Sequence, residues 1–294
     1  MSMIYRIPVL LRTIKFSHSI FALPFGLMTL FIAERGLPDS RVLVLVVLAM
    51  VGARTAAMAF NRIVDRDIDA ANPRTVGREL PSGLVGRTEL IFLVVVGSAA
   101  FFLAAGLLNL VALVLSPLVL AVLLGYSFAK RYTWACHFFL GAALGLSPPG
   151  AWVAVKGEAF LESWWLPVLL SGAVLLWTAG FDIIYACQDR DHDLGTALHS
   201  IPKRLGIARA LWVSRCLHAG TVALLMAVVV MAPLGAFAFA GVMVVAGILV
   251  WEHRLVAPDD LSRVDAAFFT ANGLVSLVLL AFTVADVLLL GGSS

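Results

Sequence analysis

The sequence predicts an all-α fold, a polytopic membrane bundle of about nine transmembrane helices with its N-terminus in the cytoplasm. Three observations carry this prediction. Of the 294 residues, 61% are hydrophobic and only 13% charged, where a soluble domain carries about a quarter charged residues, so the apolar excess has to face lipid. Apolar runs of roughly 17–25 residues, long enough to cross a hydrocarbon core, recur near 16–34, 40–61, 89–109, 111–128, 135–155, 165–187, 209–231, 233–251 and 266–289. Lys and Arg then fall almost wholly on one side of the alternation that these runs define.

The stretch from Met1 to Lys15 carries scattered charge and passes into an apolar segment with no small-residue cleavage site behind it, so no removable signal peptide is expected. With the N-terminus inside, one side collects Arg6, Arg12, Lys15, Arg62, Arg66, Arg74, Arg78, Arg87, Lys130, Arg131, Arg190, Lys203, Arg204, Arg209, Arg254 and Arg263. The other side holds Arg35, Arg41 and Lys156. By the positive-inside rule the C-terminus is outside and every even-numbered helix ends at the cytoplasm. The net charge of +3 is a rim effect of that topology and points to no nucleic acid partner. Cys136, Cys187 and Cys216 lie in or beside apolar segments without metal-ligand spacing and read as small buried hydrophobes.

The outside loops are short, whereas two inside loops, 62–88 and 188–208, are long and crowded with charge. Both run on one plan: acids at a helix exit, a polar stretch with Gly or Pro, then basic residues before the next helix. Asp65 and Asp69 precede Pro73, Arg74, Arg78 and Pro81; Asp189 and Asp193 precede Ser200, Pro202, Lys203 and Arg204. This is the pattern of a degenerate internal repeat, with one domain over 1–294 made of halves near 12–130 and 131–294. Pro24, Pro117 and the run Ser147-Pro148-Pro149-Gly150 lie inside apolar spans, where kinks are expected and tolerated.

The chemistry-bearing residues sit in those loops. If the second helix continues through Asn61, Asp65 and Asp69, their four-residue spacing stacks an amide and two carboxylates on one face. Two carboxylates side by side at a low-dielectric edge disfavour their own ionisation, and a divalent cation relieves that. Asp182, Tyr185, Asp189 and Asp193 form the second set, and Asp182 lies within an otherwise apolar helix, which by default marks a functional site. Oxygen donors in two clusters, with no Cys or His at ligand spacing, suit Mg²⁺ better than a transition metal. Mg²⁺ takes one or two carboxylates and completes its shell with water and substrate phosphate. With Arg and Lys interleaved, the two clusters predict a bound diphosphate; the plainer alternative is a pair of solvated helix ends in which Asp balances Arg.

Tyr126 and Lys130 close the fourth helix on the same side, four residues apart, either as phosphate contacts or as part of a snorkelling stop signal. Arg12, Lys15 and His18 make another polar set, readable as topology signal or ligand contact. His137, His192, His199, His218 and His253 show no triad or ligand pattern.

These residues are recognisable together. Asn61 to Asp69, Asn72-Pro-Arg-Thr75, Arg78, Leu80-Pro-Ser-Gly83, Tyr126xxxLys130, Tyr185-Ala-Cys-Gln-Asp189, Asp193 and His199-Ser-Ile-Pro-Lys-Arg-Leu-Gly206 resemble the UbiA superfamily of membrane prenyltransferases, in its 4-hydroxybenzoate polyprenyltransferase-like branch. The resemblance implies a helical bundle around a central cavity with a lateral opening for a polyprenyl tail, in a bacterial cytoplasmic (inner) membrane with the active site facing the cytoplasm. It implies Mg²⁺-dependent transfer of a polyprenyl group from polyprenyl diphosphate to an aromatic acid such as 4-hydroxybenzoate, in quinone biosynthesis. Asp65, Asp69, Asp189 and Asp193 match the metal and catalytic positions. Asn61, Arg66, Tyr126 and Lys130 then fall to the leaving group, Arg78 or Arg204 to the acceptor carboxylate, and Asp182 or Asp191 to proton acceptance or to orienting a basic residue, with Tyr185 beside them. Arg62 stands where many members carry Asp, a departure familiar within this branch. The segment from Ile14 to Pro24 is also similar to a subgroup of the futalosine menaquinone route, which would prenylate a different aromatic acid. An ion-coupled transporter would hold its acids near the midplane, whereas most here lie at the rim. A CDP-alcohol phosphotransferase would need one continuous run with DG and AR at fixed offsets, which is absent.

Overall fold

The computed structural model describes residues 3–15, 19–232 and 234–289. Its helices in chain order are α1 (Met3–Thr13), α2 (Ser19–Glu34), α3 (Ser40–Val64), α4 (Arg66–Ala71), α5 (Arg87–Leu108), α6 (Leu110–Gly125), α7 (Cys136–Gly145), α8 (Ser147–Lys156), α9 (Trp165–Ala186), α10 (Arg190–Leu194), α11 (Ile201–Leu205), α12 (Ile207–Met231) and α13 (Ala236–Arg254), followed by a C-terminal helix, Val264–Leu289. Among the described residues the one β-type pairing is an isolated bridge between Ala257 and Asp260. Eight helical segments are long and apolar enough to cross a membrane, and the ninth apolar segment is the 16-residue α2. The protein is an integral membrane protein.

Local chemistry sets most helix ends. Asp39 accepts from the backbone N–H groups of Arg41 and Val42 at 2.9 and 3.1 Å at the start of α3, serving donors that have no partner within the helix. The backbone N–H of Gly86 donates to Glu89 at 2.7 Å to begin α5. Asn109, in an extended conformation, ends α5 and caps α6 by accepting from the N–H of Ala112 at 2.8 Å. The expected break at Ser147-Pro148-Pro149 is real: α7 stops at Gly145, and α8 starts with proline in its first turn, where no N–H is needed. Helices α2 and α6 continue past Pro24 and Pro117.

The chain divides into two compact units, Met1–Ser19 with Val44–Phe128 and Ile20–Leu43 with Ala129–Ser294. The segment 20–43 thus groups with the C-terminal part of the chain. In the first unit α3 and α5 pack through glycines: a Cβ on Gly97 would lie 2.6 Å from the carbonyl oxygen of Gly52. Helix α1 was not foreseen, because its charges read as a tail. It is held by Ile14 in a small core with Ala59, Leu80, Val85 and Leu90 and by ion pairs of Arg6 with Glu89 and of Arg12 with Glu79. Arg12 therefore has a protein partner, and His18 lies outside the described residues.

In the second unit α9 is the central helix, with Leu170, Ala173, Val174, Trp177, Ile183 and Ile184 wholly buried. Gly141 and Gly145 of α7 form a small-xxx-small face on it. Their Cβ positions would fall 2.5 Å from the carbonyl oxygen of Leu175 and 2.9 Å from that of Ser171. In lipid, where apolar burial gives little net drive between helices, such close backbone approach supplies the packing. An aromatic cluster fills the rest: Phe25, Trp177, Phe181, Phe268 and Phe21 lie with successive ring centroids 5.0–5.6 Å apart.

Because a methyl group at Gly141 would overlap backbone rather than a flexible side chain, Gly141→Ala is expected to destabilise the protein by about 1–3 kcal/mol. Gly150, whose Cβ position meets no atom within 4 Å, is the control. Thermal unfolding in detergent should show a lower midpoint for Gly141→Ala and no loss for Gly150→Ala.

Candidate active site

In the first acidic loop the backbone keeps helical spacing although the helix itself is interrupted. Helix α3 ends at Val64, and Asp65 sits in a turn conformation (φ −88°, ψ 3°) before α4. Even so, the N–H of Asp65 donates to the Asn61 carbonyl and that of Asp69 to the Asp65 carbonyl, both at 2.8 Å. The amide and two carboxylates thus keep the ladder spacing through a slight break. Asn61 donates from Nδ2 to Asp65 at 3.0 Å and to the Ser127 hydroxyl at 3.4 Å.

Asp69 is buried, and its two oxygens differ. Oδ1 accepts from Arg78 at 2.7 Å. Oδ2 makes no hydrogen bond and has the Arg62 guanidinium at 3.7 Å. Arg62 is itself buried and donates from Nε to the carbonyl of Thr13 at 3.0 Å, while Arg54 donates to the carbonyl of Lys15 at 3.3 Å. Two arginines of α3 thereby serve the carbonyls at the end of α1. Thr75 donates its hydroxyl to the Asp69 carbonyl at 3.0 Å, and Asn72 accepts the N–H of Arg74 at 2.9 Å. Arg78, considered for the acceptor carboxylate, is in the structure a clamp on Asp69, whereas Arg66 is exposed.

In the second loop α9 runs into a 3₁₀ turn, Cys187–Asp189, and then α10. Asp193 is buried and accepts from the Ser200 hydroxyl at 3.4 Å; Ser200 also caps α11 by accepting the N–H of Lys203 at 3.2 Å. Asp189, His192, Lys130 and Lys203 are the charged groups that act on the Asp193 carboxylate. Lys203 donates to the carbonyls of Thr196 and Leu198 at 2.8 and 2.7 Å and so ties the loop together. The N–H of His199 donates to the carbonyl of Lys130 at 2.8 Å. Tyr126–Arg131 winds as a 3₁₀ helix, with three residues per turn, so the four-residue spacing of Tyr126 and Lys130 does not align them as an α-helix would. The Arg204 guanidinium lies over the Trp134 ring, 4.8 Å from its centroid. Asp191 projects into solvent, 91% exposed, and pairs with Arg190 at 3.1 Å.

Two features escaped the sequence reading. His137 of α7 hydrogen-bonds Asp182 of α9 through Nδ1 at 2.7 Å. Deeper in the same unit, His218 hydrogen-bonds His253 at 3.0 Å and the carbonyl of Trp177 at 3.2 Å. Asn272 donates to Glu252 at 3.0 Å and to the carbonyls of Ala267 and Phe268 at 3.1 Å. Those carbonyls belong to a π-helical turn, Ala267–Ala271, in the C-terminal helix, where the wider winding alters the regular bonding. The Phe268 ring in that turn stacks on Tyr185 with centroids 4.3 Å apart. The side-chain pairings of His137 with Asp182, His218 with His253, Asn272 with Glu252 and Phe268 with Tyr185 join residues 20 or more positions apart, so no local spacing rule could have found them.

The donor set fits a hard divalent cation. Among the described residues no three His, Cys, Asp or Glu side chains form a preformed cage. Each loop by itself, the first with the hydrogen-bond-free buried oxygen Asp69 Oδ2 and the second with Asp189 and Asp193, offers the kind of partial, oxygen-only donors that Mg²⁺ uses together with water and phosphate.

Buried ion pairs broken on one side cost about 3–5 kcal/mol, whereas apolar replacement of both partners is often neutral. Asp69→Ala is therefore expected to lower stability by roughly 3 kcal/mol and to open residues 72–86 to proteolysis. Arg62→Met with Asp69→Leu should recover much of the loss in thermal unfolding.

Comparison with known proteins identifies the family. Residues 22–284 match the UbiA prenyltransferase family. The chain is 31% identical over 257 residues to the 4-hydroxybenzoate octaprenyltransferase of Aliivibrio fischeri, covering 87% of this chain and 88% of that one. The apo structure of a UbiA homologue from Aeropyrum pernix K1 superposes with a TM-score of 0.84 at 39% identity, covering 92% and 98% of the two chains. A UbiA homologue from Archaeoglobus fulgidus, bound to DMAPP and Mg²⁺, shares the fold at 19% identity with a TM-score of 0.69, covering 95% and 98%. A family match over most of the chain, together with a relative above 30% identity that is covered nearly end to end, settles the assignment: this chain belongs to the UbiA prenyltransferase family.

Proposed function

We propose that this protein transfers a polyprenyl group from polyprenyl diphosphate to a ring carbon of an aromatic acid such as 4-hydroxybenzoate, with Mg²⁺, releasing diphosphate. The observation that carries the reading is the oxygen-only acidic ladder Asn61–Asp65–Asp69 with its hydrogen-bond-free buried oxygen, restated by Asp189 and Asp193 in the 3₁₀ turn and α10 that follow α9, in a chain of this family. The Aliivibrio relative is a 4-hydroxybenzoate octaprenyltransferase, and the Archaeoglobus homologue binds an allylic diphosphate with Mg²⁺. The one-sided distribution of Lys and Arg supports a cytoplasmic N-terminus, with both acidic loops facing the cytoplasm of a bacterial inner membrane.

Asp65, Asp69, Asp189 and Asp193 are the carboxylates for the metal. A Mg²⁺ ion held by these carboxylates would supply positive charge to offset what builds on the diphosphate leaving group. Lys130, Arg66, Asn61 and Tyr126 add donors to the same leaving group, and such preoriented groups act where the transition state gains charge. Arg204, steadied on Trp134, meets the carboxylate of the acceptor. Tyr185, stacked on Phe268, presents an aromatic wall to the allylic cation, and the apolar residues around it exclude water that would otherwise capture that cation.

The test is incubation of purified protein in detergent or bilayer with geranyl diphosphate, Mg²⁺ and 4-hydroxybenzoate, with and without chelator, followed by mass spectrometry. The expected result is a chelator-sensitive prenylated acid whose formation falls by about 100-fold or more in Asp65→Ala and in Asp189→Ala. Diphosphate release without prenylated 4-hydroxybenzoate would move the acceptor to another aromatic acid, such as that of the futalosine route. No turnover with several acceptors and longer donors would overturn the reading.

A further inference from the structure

The prenyl transfer proposed above releases one ring proton per turnover, and the described structure singles out one carboxylate to take it. Asp182 lies in α9 one turn before Tyr185 and seven residues before Asp189, which sits in the 3₁₀ turn that follows the helix, so it is about 10 Å further from the acidic loop at 1.5 Å per residue. It is therefore set back from the diphosphate end toward the place where the allylic carbon and the acceptor ring have to meet. The other acids of this segment are otherwise engaged. Asp191 points into solvent beside Arg190, and Asp189 and Asp193 are the diphosphate pair.

The environment of Asp182 is built by His137. The ring of His137 is buried, 2% exposed, and the Asp182 side chain is 26% exposed, so one partner is inaccessible and the other open. The backbone N–H of Ile201 donates to His137 Nε2 at 3.3 Å. A nitrogen that accepts a hydrogen bond carries no proton, so in the neutral ring Nδ1 holds the hydrogen and donates it to Asp182 Oδ2 at 2.7 Å. The loop thus selects the tautomer, the tautomer fixes the carboxylate, and Oδ1 is left without a protein partner among the described residues. The anchor is reinforced next door, where the Cys136 thiol donates to the carbonyl of His199 at 3.4 Å and Ser200 bonds Asp193. Ordering of the second acidic loop and orientation of Asp182 are consequently one event.

We infer that Asp182 is the catalytic base of the reaction, accepting the ring proton at Oδ1, and that His137 is its positioning residue. This rests on the prenyltransferase reading. The allylic C–O bond breaks with its electron pair leaving on diphosphate. A π pair of the acceptor ring forms the new C–C bond, and the C–H pair at that carbon returns to the ring as the proton passes to Asp182. No oxidant or reductant is required.

The test compares the wild-type holoenzyme with Asp182→Asn, His137→Phe and His137→Gln, using geranyl diphosphate, Mg²⁺ and 4-hydroxybenzoate either unlabelled or deuterated at the ring positions beside the hydroxyl. Asparagine can still accept from His137 but cannot take a proton. Glutamine can both donate to Asp182 and accept from Ile201, whereas phenylalanine fills the space and does neither. Wild type should show no isotope effect on product formation. Asp182→Asn should lose roughly 100-fold or more in kcat, keep both KM values within a few-fold and its unfolding midpoint, and acquire a normal primary deuterium effect. His137→Phe should shift in the same direction, and His137→Gln should return kcat and the isotope effect to near wild-type values. If Asp182→Asn loses activity with no isotope effect, Asp182 does not take the proton. If His137→Gln behaves like His137→Phe, His137 does not act through its two hydrogen bonds. Wild-type enzyme that forms product while the variants behave in either of these ways overturns this inference alone; wild-type enzyme that turns over none of several acceptors and longer donors overturns the prenyltransferase reading beneath it.

Discussion

A polar group inside hydrocarbon has no water to turn to, and that constraint governs where every charge in this protein is allowed to stand. The helices satisfy their own backbones; what remains are the helix ends and the few polar side chains within spans, and these are matched to one another. Arg54 and Arg62 serve the carbonyls at the end of α1. Asp286, deep in the C-terminal helix, accepts the N–H groups of Gly235 and Ala238 at 2.6 and 3.1 Å and so caps α13 from outside it. An unserved helix end or an unpaired charge at these depths would cost several kcal/mol, so each match both allows the polar residue and fixes the position of a helix.

Local bonds of the same kind hold each of the two acidic loops. In the first, Asp69 is shared between Arg62 and Arg78, which holds the turn from Asn72 to Leu80 against the end of α3. In the second, Lys203 and Ser200 tie the chain from Thr196 onward to itself and to Asp193. Under the proposed function, carboxylates already fixed by local bonds would lose little freedom on binding a cation and diphosphate, and preorganisation of this kind is where electrostatic stabilisation gains its advantage over water.

Intramembrane acids in this chain have three distinct fates. Asp286 is structural, with both oxygens committed to backbone N–H groups. Glu252, wholly buried, belongs to a polar network with Asn272 and His218 that supports the π turn under Phe268, and through Phe268 it reaches Tyr185. Asp182 alone of the three is partly open, with one oxygen held and the other presented. The default reading of a membrane-embedded carboxylate as functional therefore needs its partners before it separates a cap from a base. Arg62 teaches the converse: within the first acidic segment its guanidinium is a buried staple between Asp69 and the Thr13 carbonyl.

The sequence by itself determined the membrane class, the apolar spans, the break before Pro148 and the two acidic loops, because all of these are written in local composition and in spacings of a few residues. Lipid imposes length and hydropathy on each span separately, and a carboxylate ladder needs only the helical repeat. Only the tertiary structure decided what each polar side chain does. It bonded Arg78 to Asp69, placed Arg204 on Trp134, wound the N-terminal stretch into α1, and joined His137 to Asp182 and His218 to His253. Those partners are 9 to 70 residues apart, and an imidazole or guanidinium carries no local signature of the group it will meet. Their roles are set by which helix faces pack together, a property of interlocking surfaces such as Gly141 and Gly145 on α9 that no single segment contains.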